Sequence, residues 1–187
     1  SARAALLSAL LSASVLAAGA VGAETINIAQ NFDPQTLWPN GTTASDNLNA
    51  GSAMVEALLW QNPATGGIEP LLATEVEMVS PTEALVSLRE GVSFTNGEPM
   101  NADAVVKSIE IFMDKNLTPA YARVADLFAS VEKVGNLKVR ITLSDSYPAF
   151  MLALSQIAVI PPAYWDEVGL EAYGQKPIGT GPFVFES

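Results

Sequence analysis

The sequence predicts a mixed α/β fold of the α+β kind, and three observations carry that prediction. Almost half of the 187 residues are apolar (49%) and 16% are charged, a composition that supports a packed core and argues against disorder. Short segments with period-2 alternation coexist with one long segment of clear helical periodicity. The two kinds do not follow one another as strict strand–helix–strand units, so hairpins and helices are expected side by side.

The first 23 residues, "SARAALLSALLSASVLAAGAVGA", stand apart from the fold. Arg3 is followed by an Ala/Leu/Val/Ser stretch and the small-residue ending Val21-Gly22-Ala23. A positive start, an apolar middle and a small-residue cleavage site describe a secretory signal peptide over 1–23. A transmembrane helix is the rival, but it needs about 20 predominantly apolar residues, and here Ser interrupts the run. With no Cys after Ala23, a lipoprotein is not expected.

The mature chain opens on "ETINIAQ" (24–30), whose Ile26 and Ile28 alternate with polar neighbours as in a strand. A long loop, 31–47, follows, with two prolines, Asn40-Gly41 and the aromatics Phe32 and Trp38. "LNAGSAMVEALLW" (48–60) spaces Leu48, Met54, Val55, Leu58 and Leu59 as a helix does, with Ser45 or Asp46 as cap. "LLATEVEMVS" and "TEALVSLRE" read as strands. "GVSFTNGEPM" turns at Asn96-Gly97, and Gly91 and Gly97 supply the backbone freedom. "NADAVVKSIEIFMDK" (101–115) is the cleanest helix. Ala102, Val105, Val106, Ile109, Phe112 and Met113 form one stripe, Asn101 is the cap, and Asp103 suits the positive first turn.

Downstream, 121–131 suggests a short helix. "VEKVGNLKVRITLS" reads as a hairpin turning at Gly135-Asn136, with Leu137, Val139, Ile141 and Leu143 on one face. "SYPAFMLALSQ" reads as a helix, and "IAVIPPAYW" as an extended segment ended by Pro161-Pro162. The closing "KPIGTGPFVFES" contains a tight turn. It lacks the Lys-Ser/Thr that a phosphate-binding Walker loop requires.

Composition narrows the chemistry. There is no Cys and no His, which removes thiolate nucleophiles, disulfides, the usual general base and the commonest metal ligand. The formal net charge of −11 disfavours binding to nucleic-acid phosphates. It serves solubility, with a preference for cationic ligands as the sharper alternative. Loss of Arg3 with the signal would make the charge −11 − 1 = −12.

Several motifs occur in a fixed order: Glu56 to Leu58, Pro70 to Ala73, "LREGVSFTNG" over Leu88 to Gly97, Ala102 to Val105, and "KPIGTGPF" over Lys176 to Phe183. In this order they resemble the extracytoplasmic solute-binding proteins of ABC importers, of the peptide/oligopeptide/nickel-binding family. The resemblance covers 24–187. It implies a periplasmic-binding-protein-like type II fold, first lobe only, in a chain that stops before a second lobe. The implied organisation is a signal peptide at 1–23 and the start of the main lobe at 24–48. An accessory α+β subdomain at 49–175 and a return into the main lobe at 176–187 complete it. The implied role is capture of a peptide or related small solute in the periplasm for a permease complex of the inner membrane. No catalysis, cofactor, metal or nucleic-acid partner is expected, and the protein is expected to be a monomer.

Loop 31–47 is the site candidate, because ligand pockets combine apolar walls with a few placed polar groups. The resemblance implies Phe32, Trp38, Thr42, Thr43 and Ser45 as wall residues. The alternative is a surface loop whose aromatics pack onto the domain. Two other functions remain open: a secreted hydrolase using paired carboxylates, and a chaperone or receptor module with a broad apolar patch.

Overall fold

The structure is a computed structural model that describes residues 34–42 and 50–186. The expected signal peptide and first strand lie outside the described residues. Among the described residues, six strands and four complete α-helices follow in chain order.

A two-stranded antiparallel ribbon pairs β1 (Leu59–Gln61) with β2 (Ile68–Pro70). A four-stranded antiparallel sheet is built from β3 (Ala73–Ser80), β4 (Glu83–Leu88), β5 (Phe128–Gly135) and β6 (Lys138–Leu143), in the order β3-β4-β6-β5. The two central strands obey the period-2 rule of a half-buried sheet. Ala84, Val86 and Leu88 of β4 and Val139, Ile141 and Leu143 of β6 are buried, and their neighbours in sequence are not. The edge strands β3 and β5 keep most side chains in water. The β5–β6 turn lies at Asn136-Leu137, one residue later than the Gly-Asn dipeptide suggests, because Gly135 pairs with Lys138 across the strands.

Helix α1 (Ala102–Met113) covers the apolar face of this sheet. Asn101 Oδ1 accepts hydrogen bonds from the backbone N–H of Asp103 (2.9 Å) and Ala104 (3.2 Å), as a cap must. The predicted stripe is buried or half-buried, but it is only part of the buried surface. Ala104, Ser108 and Ile111 are buried as well, because α1 lies between two apolar clusters. Ser108 ties them together. Its Oγ donates to the Ala104 carbonyl (2.6 Å) and accepts from the Ile160 N–H (3.0 Å).

The second cluster contains Trp38, Met54, Val55, Ile111, Ala158, Ile160, Trp165 and Tyr173. Helix α2 (Ala122–Ala125) is one turn, shorter than the sequence suggests, because 128–131 joins β5. Helix α3 (Phe150–Leu154) forms where expected. Helix α4 (Pro162–Gln175) was not legible in the sequence. Gly169, at φ 71°, kinks it and blurs its periodicity. Its N-terminus is capped from far away: Glu98, in the turn after β4, accepts from the N–H groups of Ala163 (2.9 Å) and Tyr164 (3.1 Å).

The largest departure from expectation is at 53–60. The helical spacing does not produce a helix there. The described helical residues end by Ser52, Ala53 and Met54 turn back onto the Gly51 carbonyl, and from Val55 the chain runs without helix into β1. Extended backbone is favoured because three other segments hydrogen-bond to it. Gly181 N–H donates to the Met54 carbonyl (2.9 Å), Val159 N–H to Glu56 (2.9 Å), and Ala73 N–H to Leu58 (2.8 Å). Tertiary pairing of this kind overrides local propensity.

Candidate functional site

Segment 52–60 forms the floor of two adjoining pockets, of about 240 and 430 Å³. They share Ser52, Val55, Glu56, Ala57 and Ser155. Pro39, Tyr121 and Gln156 extend one, and Leu59, Trp60, Leu71 and Pro182 extend the other. Six separate stretches of sequence therefore meet on one concave face. Their positions follow from the pairings above. Ala57 bridges to Ala158, and the buried side chain of Asn40 donates to the Gln156 carbonyl (2.5 Å) and accepts from the Ala158 N–H (2.9 Å). The Gly179–Gly181 turn lies directly on Ala53–Val55. A Cβ built on Gly181 would come 2.7 Å from the Ala53 carbonyl oxygen, and one on Gly179 would collide with the Met54 carbonyl oxygen. Glycine is required there for close backbone approach, and no nucleotide phosphate need be invoked.

The wall is somewhat more apolar than polar, with polar groups from Ser52, Glu56, Tyr121, Ser155 and Gln156. Glu56 Oε2 accepts from the Thr180 hydroxyl at 2.7 Å. The Ser155 hydroxyl donates to the Leu152 carbonyl (2.8 Å). The Tyr121 ring packs against Phe112, and burial pushes its hydroxyl pKa above the ordinary value. Trp60 is 45% exposed beside the pocket, and Phe183, which follows the lining residue Pro182, is 64% exposed. Among the described residues Glu56 is the one carboxylate on either pocket wall. No group of three or more His, Cys, Asp and Glu among them is placed to hold a metal.

Of the residues expected from loop 31–47, Phe32, Thr43 and Ser45 lie outside the described residues. Thr42 is half-buried and follows the 3-10 turn Pro39–Gly41 with extended backbone. Trp38 is almost fully enclosed, and it lines a separate cavity of about 270 Å³ with Gln35, Thr36, Leu117 and Leu170. It is 2% exposed, its indole N–H donates to the Leu117 carbonyl (3.1 Å), and its ring meets Trp165 (centroids 5.1 Å) and the edge of Tyr173 (5.6 Å). An indole with its one donor satisfied gains most from such burial, which is the packing reading of this loop. The neighbouring Pro39, not Trp38, reaches the pockets described above. Glu56, Trp60, Tyr121 and Gln156 were missed as site residues. Glu56 stands in a motif singled out in the sequence, but a helical reading of 48–60 gave its side chain no direction.

A mixed α/β domain that brings six stretches of chain to one concave face has the form of a solute-binding module, of the periplasmic-binding-protein type II kind. The chain belongs to the bacterial extracellular solute-binding proteins, family 5, whose middle section matches residues 67–187. It is 28% identical over 151 residues to the HTH-type transcriptional regulator SgrR of Shigella dysenteriae, covering 80% of this chain and 26% of that protein. It is 27% identical over 161 residues to the nickel-binding periplasmic protein of Escherichia coli K12, covering 81% and 31%. Its fold matches MoaA of A. tumefaciens R10, solved with mannopinic acid, at a TM-score of 0.76 and 28% identity over 83% of this chain and 33% of that one. The chain thus spans between a quarter and a third of the length of these relatives. Among the described residues, no helix is long and apolar enough to cross a membrane.

Proposed function

We propose that the chain is part of the substrate-binding component of an ABC importer. It captures a peptide or a related small solute in the periplasm and hands it to an inner-membrane permease, without chemistry of its own. The observation that carries this reading is the concave face around Val55–Ala57. Its pocket volumes approach or fall within the roughly 300–1,000 Å³ of small-ligand sites, and it sets placed polar groups among apolar ones. The exposed Trp60, Phe183 and Val184 support it too. Apolar side chains left in water at the edge of a pocket are what a second lobe would cover on hinge closure. Family membership supports the extracytoplasmic setting, and the relatives, named for nickel or solved with mannopinic acid, support a small ligand.

Native mass spectrometry of protein purified from its host tests the proposal. A co-purified small molecule is expected, and adding it back should raise the melting temperature by mass action. A protein that carries no ligand, and whose melting temperature no peptide or small solute raises, would count against it.

The likeness to a transcriptional regulator favours a second reading, the solute-sensing part of a regulator. Cell fractionation separates the two, since a regulator stays with the cytoplasm.

A further inference from the structure

We infer that Glu56 makes the concave face selective for solutes that carry a positive charge. The inference rests on the solute-binding reading above and adds the class of ligand.

Glu56 lies on both pockets, and among the described residues no Lys or Arg lines either one. Its carboxylate has capacity for about four hydrogen bonds. Among the described residues one is used, by the Thr180 hydroxyl on Oε2, and Glu56 takes part in no ion pair. This sets it apart from Asp103, Asp126, Asp166 and Glu83, whose charges are matched by Lys133, Lys115, Lys107 and Arg140. An unmatched carboxylate, half-buried in a concavity, attracts a cation more strongly than one in open water.

Trp60 adds a second attraction of the same sign. Trp60 lines the same pocket as Glu56 and is 45% exposed, so its indole is accessible to an ammonium or guanidinium group. The net charge of −11 favours encounter with cations from a distance. An anionic solute would meet an uncompensated negative charge and no cation on this wall.

The competing account is that Glu56 serves only to hold the Gly179–Gly181 turn through Thr180. The Glu56→Gln variant separates the two, because a glutamine carbonyl still accepts from Thr180 while the charge is gone. Binding of the N-acetylated, C-amidated tripeptides Ala-Lys-Ala, Ala-Gln-Ala and Ala-Glu-Ala, in which the central side chain carries the one charge that differs, to the whole protein is measured by calorimetry at pH 7.5, for wild type and variant. The wild type is expected to bind the lysine peptide ~10-fold more tightly than the glutamine peptide and the glutamate peptide most weakly. In Glu56→Gln the lysine preference should fall to within ~2-fold, at an unchanged melting temperature. Equal binding of all three by the wild type, or a lysine preference that survives in the variant, overturns the inference and leaves solute binding standing. Binding of none of the three overturns the inference together with the peptide reading beneath it.

Discussion

Trp38 shows how much one side chain depends on its surroundings. In sequence it is an aromatic in a polar loop. In the fold it is the centre of an aromatic cluster with Trp165 and Tyr173, and its N–H reaches Leu117, 79 positions away. Trp38→Phe removes a hydrogen bond and part of a ring from a full cluster. It should lower unfolding stability by about 1–3 kcal/mol, measured by urea denaturation, with ligand affinity unchanged. A loss of affinity without loss of stability would instead make it a ligand contact. Tyr173 gives a pH signature. It is 0% exposed, its hydroxyl donates to the Ile178 carbonyl (2.7 Å), and burial, with a smaller contribution from Tyr164, raises its pKa far above the ordinary 10.0. The folded state thus keeps this proton when the unfolded state releases it. The stabilisation is complete below pH 10 and is lost as pH rises above it, at about 1.4 kcal/mol per pH unit. Urea midpoints across that range should fall more steeply for wild type than for Tyr173→Phe.

At the scale of elements, the two α-helices of twelve or more residues illustrate two kinds of start. Helix α1 is capped by Asn101, the residue just before it, so its beginning could be read locally. Helix α4 begins at Pro162 with no side-chain cap of its own, and Glu98 fills that place from the turn after β4. A carboxylate on two free N–H groups also meets the positive end of the helix dipole. Glu98→Ala should cost about 1–2 kcal/mol in unfolding free energy, with protection of the first-turn amides of α4 lost first in hydrogen exchange. If protection falls evenly across the domain, Glu98 is not acting as the cap. The stretch "LREGVSFTNGEPMNADAV" therefore works as a joint between elements. Gly91 and Gly97 adopt positive φ (76° and 89°), Glu98 caps one helix, and Asn101 caps another.

At the scale of the whole molecule, the Gly179–Gly181 turn packs tightly on Ala53–Val55 and closes the floor of the site. Gly179→Ala places a methyl against the Met54 carbonyl and cannot be absorbed by a side-chain rotation. The expected result is a loss of about 3 kcal/mol or more, read from the thermal midpoint, with ligand binding weakened in step because the pocket floor shifts. A well-folded Gly179→Ala protein with normal binding would show that this approach is not needed. The charge of the whole chain enters differently. With 20 acidic and 9 basic residues, it biases encounter toward cations without deciding the fold.

The central sheet and α1 were legible because their burial follows their own periodicity. Val86, Val139, Ile141, Val105 and Ile109 are each buried where alternation or helical spacing puts them. The family was legible for a related reason: its motifs are fold-specifying turns, caps and close glycine contacts, each of which needs a particular residue at a particular place. The site was not. Segment 53–60 has helical spacing, yet hydrogen bonds from Ala73, Val159 and Gly181 hold it extended, and that pairing is what directs Glu56 and Trp60 into one concave face. Local pattern can determine which face of an element is apolar. Which of several extended segments pair, and so which side chains meet in a pocket, is decided by contacts between residues 15 to 127 positions apart, which only the tertiary structure brings together.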